Sequence, residues 1–178
     1  MIASGATFTS SAFATAAAIA GILGLASPQA VAVERTPAAV TFAAGASAET
    51  RAIVAVNPKE AAAAAVECGA GYELNFAERL PDASRSGTLF SYTKLTGSRW
   101  DACAVFENNT TSAKYMKLKI CPSTIGGTCA QDEGTFSSYA GPVHLTNAMC
   151  GNITALMKSS SSSSSYIINA VRGATPCN

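Results

Sequence analysis

The sequence predicts an all-β fold for residues 67–178: a small, disulfide-stapled antiparallel sandwich or open barrel of about seven strands. Short runs of β-branched and aromatic residues alternate there with turn residues. Charged residues make up only 13% of the chain and helix-favouring lysine and glutamate are few, which argues against a helical bundle. Six cysteines, all in the last two-thirds of the chain, indicate a domain held together by three disulfides.

One pairing among these cysteines follows from the local sequence. Cys121 and Cys129 flank a Gly126-Gly127 turn in a short closed loop, so we expect them to pair. The sequence leaves the partners of the other four open, and these are Cys68, Cys103, Cys150 and Cys177. A metal site is the alternative use of cysteine, but the chain has no Cys-x-x-Cys and its one histidine is His144.

The N-terminal segment has the pattern of a secretory signal peptide. Residues 14–26 form an apolar run that is shorter than the roughly 20 residues needed to span a bilayer. Pro28 ends the run, and small residues precede the cleavage position that we expect after Ala32. The first basic residue, Arg35, follows the run instead of preceding it. We therefore predict a signal peptide over 1–32 and no membrane span in the mature protein, with a buried helix as the alternative.

The next segment, residues 33–66, is alanine-rich and interrupted by Pro37 and Pro58. The alanine run at 61–65 favours a helix locally. It lacks the apolar face with which a helix docks firmly on a core. We interpret the segment as a linker or a pro-segment, and an additional strand over 51–56 is the alternative.

The first strands of the domain follow from alternating apolar residues and intervening turns. A strand after Gly71 places Tyr72, Leu74 and Phe76 on one face, and residues 88–93 form the second strand. In the third strand both faces are apolar, so we expect both to be covered. One face carries Trp100, Ala102, Ala104 and Phe106, and the other carries Cys103 and Val105.

The fourth strand has the clearest period of two. Met116, Leu118 and Ile120 face inward, while Tyr115, Lys117 and Lys119 face water. The lysines are explained as the solvated face of a sheet, with a binding patch as the alternative.

The last part of the chain is predicted to contain two more strands joined by a loop. Ile153, Ala155 and Met157 share one strand face, the serines at 159–165 form a hairpin loop, and 166–171 is the last strand.

Between these strands lies the central stretch, Asp132–Val143. It begins with an acidic turn, continues with two aromatic residues three positions apart, and ends in a Gly-Pro break before a strand at 143–146. This stretch resembles the acidic-Gly-x-aromatic-Ser-x-Tyr-Ala-Gly-Pro-Val signature of the spore-associated protein A family. The resemblance extends to Cys68–Tyr72, Cys103–Val105 and Cys150-Gly151, and covers about residues 67–178. It implies a small exported protein associated with spores or aerial cell surfaces of filamentous bacteria, and the family offers no established catalytic residues to carry over.

Candidate catalytic groups are few. His144 could act as a general base, but its position on the alternating strand predicts that it faces solvent. Asp132 and Glu133 could be a pair of catalytic acids, but adjacent residues on a strand point to opposite faces. We expect no catalytic residues, no cofactor and no metal.

The candidate binding surface consists of Phe136, Tyr139, Pro142 and His144, with Tyr139 as the best single contact. The formal net charge of +1 argues against nucleic acid as a partner. We expect a secreted, non-enzymatic protein with a structural or adhesive role, whose partners are spore or cell-wall surface polymers. The alternatives are an extracellular carbohydrate- or peptide-binding module, including one like a protease inhibitor, and an exported hydrolase.

Overall fold

The computed structural model describes residues 39–177, so the expected signal peptide over 1–32 lies outside the described residues. Two helices come first, α1 (Ala48–Val56) and α2 (Pro58–Cys68). Eight strands follow: β1 (Glu73–Leu80), β2 (Gly87–Thr96), β3 (Arg99–Asn108), β4 (Lys114–Cys121), β5 (Ala130–Phe136), β6 (Tyr139–Leu145), β7 (Asn152–Lys158) and β8 (Ile168–Gly173). Neither of these two helices is long and apolar enough to cross a membrane.

The strands form two four-stranded antiparallel sheets, which confirms the predicted all-β class. Sheet A has the order β1-β2-β3-β6, and sheet B has the order β5-β4-β7-β8. One strand was not expected: β5 occupies the first half of the central stretch, where the sequence predicts a turn. Aspartate, glutamate and glycine disfavour strands, but pairing with β4 over seven residues overrides that local preference.

An inner core lies between the two sheets and confirms the predicted inward faces. The residues it takes from the predicted faces of β3, β4 and β7 are Ala102, Ala104, Phe106, Met116, Leu118, Ile120, Ile153, Ala155 and Met157. All nine side chains are fully buried. The period of two therefore identified the residues that hold the sheets together.

An outer core lies between sheet A and the two helices. Cys103 and Val105 contribute to it from the second face of β3, so both faces of that strand are covered, as predicted. Ile53 and Val54 of α1 and Ala61 of α2 pack in the same cluster. The outer core is the reason that sheet A has two buried faces.

The described part of the segment 33–66 is therefore not a free linker, and the alternative of a strand over 51–56 is wrong, because those residues lie in α1. Alanine side chains are small, so the backbone of α2 comes close to the sheet. Ala61 is fully buried, and its carbonyl accepts a hydrogen bond from the Tyr92 hydroxyl at 2.7 Å. Removal of the segment as a pro-segment stays a prediction.

A bulge in β1 corrects a second expectation. The pairing with β2 shifts between Leu74 and Phe76. Because a bulge inserts one residue into the alternation, the two side chains point to opposite faces. Leu74 packs in the outer core and Phe76 against the inner one, so Tyr72, Leu74 and Phe76 do not share a face.

Three disulfides use all six cysteines. Cys121 is joined to Cys129, the pair expected from the closed loop. The two pairings that the sequence left open are Cys68–Cys103 and Cys150–Cys177. The first ties the end of α2 to the middle of β3, and the second ties the turn before β7 to the C-terminal segment.

Candidate functional site

The strand register of sheet A brings four side chains into one row on the face that carries the helices. Arg79 of β1 pairs with Thr88 of β2, Thr88 pairs with Glu107 of β3, and Glu107 pairs with Tyr139 of β6. We call these residues the Glu107 row. Cross-strand neighbours of this kind lie about 5 Å apart. Tyr139, the strongest candidate contact of the central stretch, is thus placed beside a carboxyl group.

A polar cleft opens at this row, with a volume of about 420 Å³. Its walls come from the start of α2, from the β1–β2 turn and from the end of β3. Its charged lining residues are Glu60, Arg79, Arg85 and Glu107. A cleft with two carboxyl and two guanidinium groups can hydrogen-bond hydroxyl, amide and carboxylate groups of a ligand.

Glu107 has an unusual electrostatic environment. Burial raises the pKa of its carboxyl group from 4.5 to about 7, and the nearby carboxylate of Glu60 adds to the effect. The raised pKa places the titration of Glu107 near neutral pH, so its carboxyl group is present there in both protonated and ionised forms. Burial, followed by the charge of Glu107, also raises the pKa of Tyr92 in the outer core. Glu107 can thus serve as a hydrogen-bond donor or acceptor near pH 7.

Arg79 is held in the cleft wall by the junction of the two helices. Its Nη2 donates to Oδ1 of Asn57 at 2.9 Å, and the Asn57 amide nitrogen donates to the carbonyl of Ile53 at 2.7 Å. The Nε of Arg79 is buried and has no hydrogen-bond partner among the described residues. An unsatisfied buried donor of this kind costs free energy.

Two asparagines shape the turn that closes the cleft after β3. The Asn108 amide nitrogen donates to the carbonyls of Ser112 at 3.0 Å and Phe136 at 3.1 Å, and its oxygen accepts from the Thr110 amide. The Asn109 amide nitrogen donates to Thr88 Oγ1 at 2.8 Å. These asparagines therefore serve as structural groups, and the charged residues are left to meet a ligand.

The four residues of the candidate binding surface do not come together. Phe136 packs against the inner core, whereas Tyr139 packs against the outer core. Pro142 is half-buried, and His144 is exposed. Tyr139 and His144 lie on β6, but only Tyr139 belongs to the Glu107 row, because His144 pairs with Cys103, further along β3.

His144 lies between a disulfide and an aromatic ring. Its Nε2 lies 3.8 Å from Sγ of the disulfide-bonded Cys103, and its ring contacts Tyr72 edge-on with 5.7 Å between centroids. Neither neighbour is an acid that could orient the imidazole for proton transfer.

The adjacent acids of the central stretch also point apart. The Asp132 carboxylate accepts a hydrogen bond from the Gly141 backbone, while Glu133 forms an ion pair with Lys117 at 2.8 Å on the other face of sheet B. Over residues 39–177 no group of three or more histidine, cysteine, aspartate or glutamate side chains is placed to hold a metal.

Sequence reasoning missed Glu60, Arg79 and Glu107. Glu107 did leave a signal, since it directly follows Ala102–Phe106, the part of the strand that is apolar on both faces. An acid at that position, in register with neighbouring strands, is desolvated by them. Glu60 and Arg79 left no comparable signal, because helices and strands far apart in the chain bring them to the cleft.

No family model matches the chain, and no solved structure matches it. Among curated proteins, the chain is 30% identical over 79 residues to Spore-associated protein A of Streptomyces coelicolor. The aligned part amounts to 44% of this chain and 48% of that protein, so it spans about half the length of the relative. The chain is therefore similar, over part of its length, to a protein named for its association with spores.

Proposed function

We propose that this chain is an exported protein of the spore or cell surface with a structural or adhesive, non-enzymatic role. The similarity to Spore-associated protein A is the observation that carries the proposal. The disulfides support it, because paired cysteines persist in oxidising environments outside the cytoplasm. A small sandwich with three cross-links also suits a protein that must withstand conditions outside the cell.

Cell fractionation tests the location. We expect the full chain, carrying a C-terminal epitope tag, in the spore coat or cell-wall fraction, with no thiol that reacts with alkylating reagents before reduction. N-terminal sequencing of that material should begin at Val33, directly after the expected cut. Recovery in the cytoplasm with free thiols contradicts the proposal.

A second candidate function is a carbohydrate- or peptide-binding module, including one of the protease-inhibitor type. The observation that favours it is the polar cleft, whose lining residue Glu107 is the cross-strand neighbour of Tyr139. Binding of the chain to isolated cell walls, lost on Tyr139→Ala while the chain stays folded, supports this candidate. Wall binding that Tyr139→Ala leaves intact contradicts it.

The absence of catalysis is tested at the same cleft. A hydrolase of this kind would need a pair of carboxyl groups, one of them with a raised pKa, and Glu107 and Glu60 are the two carboxyl groups that line this cleft. We expect no release of sugars or peptides from isolated walls by the unsubstituted chain. Release that disappears in Glu107→Gln but persists in His144→Ala would instead identify an enzyme.

A further inference from the structure

The two sheets differ in what lies on their outer faces. Both helices pack on sheet A. Sheet B carries its outward-facing side chains in cross-strand rows that are at least partly exposed. One row runs Glu133–Lys117–Leu156, the next runs Gln131–Lys119–Thr154–Val171, and a third joins Tyr115 to Lys158. We call this surface the sheet B face.

The sheet B face is positively charged. It carries Lys117, Lys119 and Lys158 against a single acid, Glu133, so three positive charges and one negative charge leave a net +2. The whole chain has a formal net charge of only +1. Glu133 is already engaged, since it pairs with Lys117 at 2.8 Å and accepts a hydrogen bond from the Tyr115 hydroxyl. Lys119 and Lys158 therefore carry the charge that a partner would meet.

Two tyrosines flank one of these lysines. The Lys158 Nζ lies 4.8 Å from the ring centroid of Tyr166 and 5.8 Å from that of Tyr115. Tyr166 is 49% exposed. An exposed tyrosine presents an apolar ring on which a sugar can stack and a hydroxyl that hydrogen-bonds its edge. Charge and stacking surface thus occur side by side.

The spacing of the two lysines indicates an extended ligand. Lys119 is level with Thr154 on β7, and Lys158 lies four residues further along that strand. At about 3.3 Å per residue, the backbone positions of the two lysines are roughly 13 Å apart along the strand. A single carboxylate does not reach both positions, whereas a polymer with a charge on successive units does.

We infer that the sheet B face binds an acidic polysaccharide, whose carboxylates pair with Lys119 and Lys158 and one of whose sugar rings stacks on Tyr166. The inference rests on the proposed surface role and names the partner class for it. Its basis is charge complementarity with a face whose lysines are partly exposed, and the tyrosines favour a sugar polymer over a polyanion without rings.

Affinity for polygalacturonate, measured with the full chain at low salt, tests the inference. Lys119→Gln and Lys158→Gln should each weaken binding roughly fivefold, since each removes one close charge pair in water. Tyr166→Ala should weaken binding as well, and Glu133→Gln should strengthen it because the one negative charge is removed. The matched control is Lys59→Gln on α2, on the far side of sheet A, which should bind as the unsubstituted chain does.

Other polymers separate the alternatives. Neutral dextran should not bind, and raising the salt concentration to 0.5 M should abolish binding to polygalacturonate because exposed charges are screened. The inference is overturned if polyphosphate binds as tightly as polygalacturonate and Tyr166→Ala leaves the affinity for polygalacturonate unchanged. The chain could fractionate with the spore or cell surface while the Lys119→Gln/Lys158→Gln double variant binds polygalacturonate as the unsubstituted chain does. That result would reject the sheet B face as the binding site, but it would not contradict the proposed surface function.

Discussion

The carboxylate of Asp132 accepts a hydrogen bond from the backbone N–H of Gly141 at 2.7 Å. Asp132 lies in β5 of sheet B, and Gly141 lies in β6 of sheet A. The bond therefore connects the two sheets where the chain passes from one to the other. Both residues belong to the central stretch, so the bond fastens the Gly141-Pro142 part of β6 to the neighbouring strand β5.

Asp132→Ala should destabilise the fold by about 1.5 kcal/mol, the value for losing a hydrogen bond to a charged group. Urea unfolding measures the change. The control is Glu133→Ala on the sheet B face, which should change stability by no more than about 0.5 kcal/mol. Equal losses in the two variants would show that the Asp132–Gly141 bond has no special role.

Gly141→Ala should cost roughly 2–3 kcal/mol for two reasons. The backbone angle φ of Gly141 is +104°, which side chains rarely adopt, and an added Cβ would lie 2.8 Å from the Ala104 carbonyl oxygen. Thermal or urea unfolding measures the loss. The control is Gly173→Ala at the end of β8, where an added Cβ meets no atom within 4 Å. A stable Gly141→Ala variant would mean that β6 can rearrange around the added methyl group.

Glu107 should make the stability depend on pH. The pKa of its carboxyl is raised from 4.5 to about 7 in the folded chain. Because the folded state binds this proton more tightly than the unfolded state, the stabilisation is fully present below pH 4.5 and is lost as the pH rises through about 7.

Glu107→Gln should remove that contribution, since glutamine does not titrate. The difference in urea midpoint between the variant and the unsubstituted chain should therefore grow in favour of the variant between pH 4.5 and pH 7. Taking the difference cancels the titration of the other carboxyl groups. A constant difference across this range contradicts the raised pKa.

Two of the disulfides should contribute unequally to stability. Cys68–Cys103 closes 35 residues, whereas Cys121–Cys129 closes 8. Because each disulfide restricts the unfolded chain, the first should add roughly 4 kcal/mol to the free energy of unfolding and the second roughly 2.5 kcal/mol. Replacing each pair by alanines and measuring urea unfolding checks the order. A larger loss from the Cys121–Cys129 pair would show that interactions of the native state outweigh chain entropy.

The alternation of apolar and polar residues was sufficient to assign core residues in strands that have one or two apolar faces. Met116, Leu118 and Ile120 could be assigned to the core because alternate residues of a strand must share a face. The same rule failed at Leu74 and Phe76, where a bulge inverts the alternation. It missed β5 as well, whose acids and glycine become a strand only because β4 lies beside it.

The sequence by itself determined the all-β class, the inward faces of most strands and the Cys121–Cys129 loop, because each depends on neighbours within a few positions in the chain. Only the tertiary structure decided that an alanine-rich helix covers sheet A, because such a helix gains burial only from a surface that the strands have first built. It also decided that Glu107 lies between Thr88 and Tyr139, because the register of distant strands, and with it the desolvation of a carboxyl group, arises only when the sheet forms.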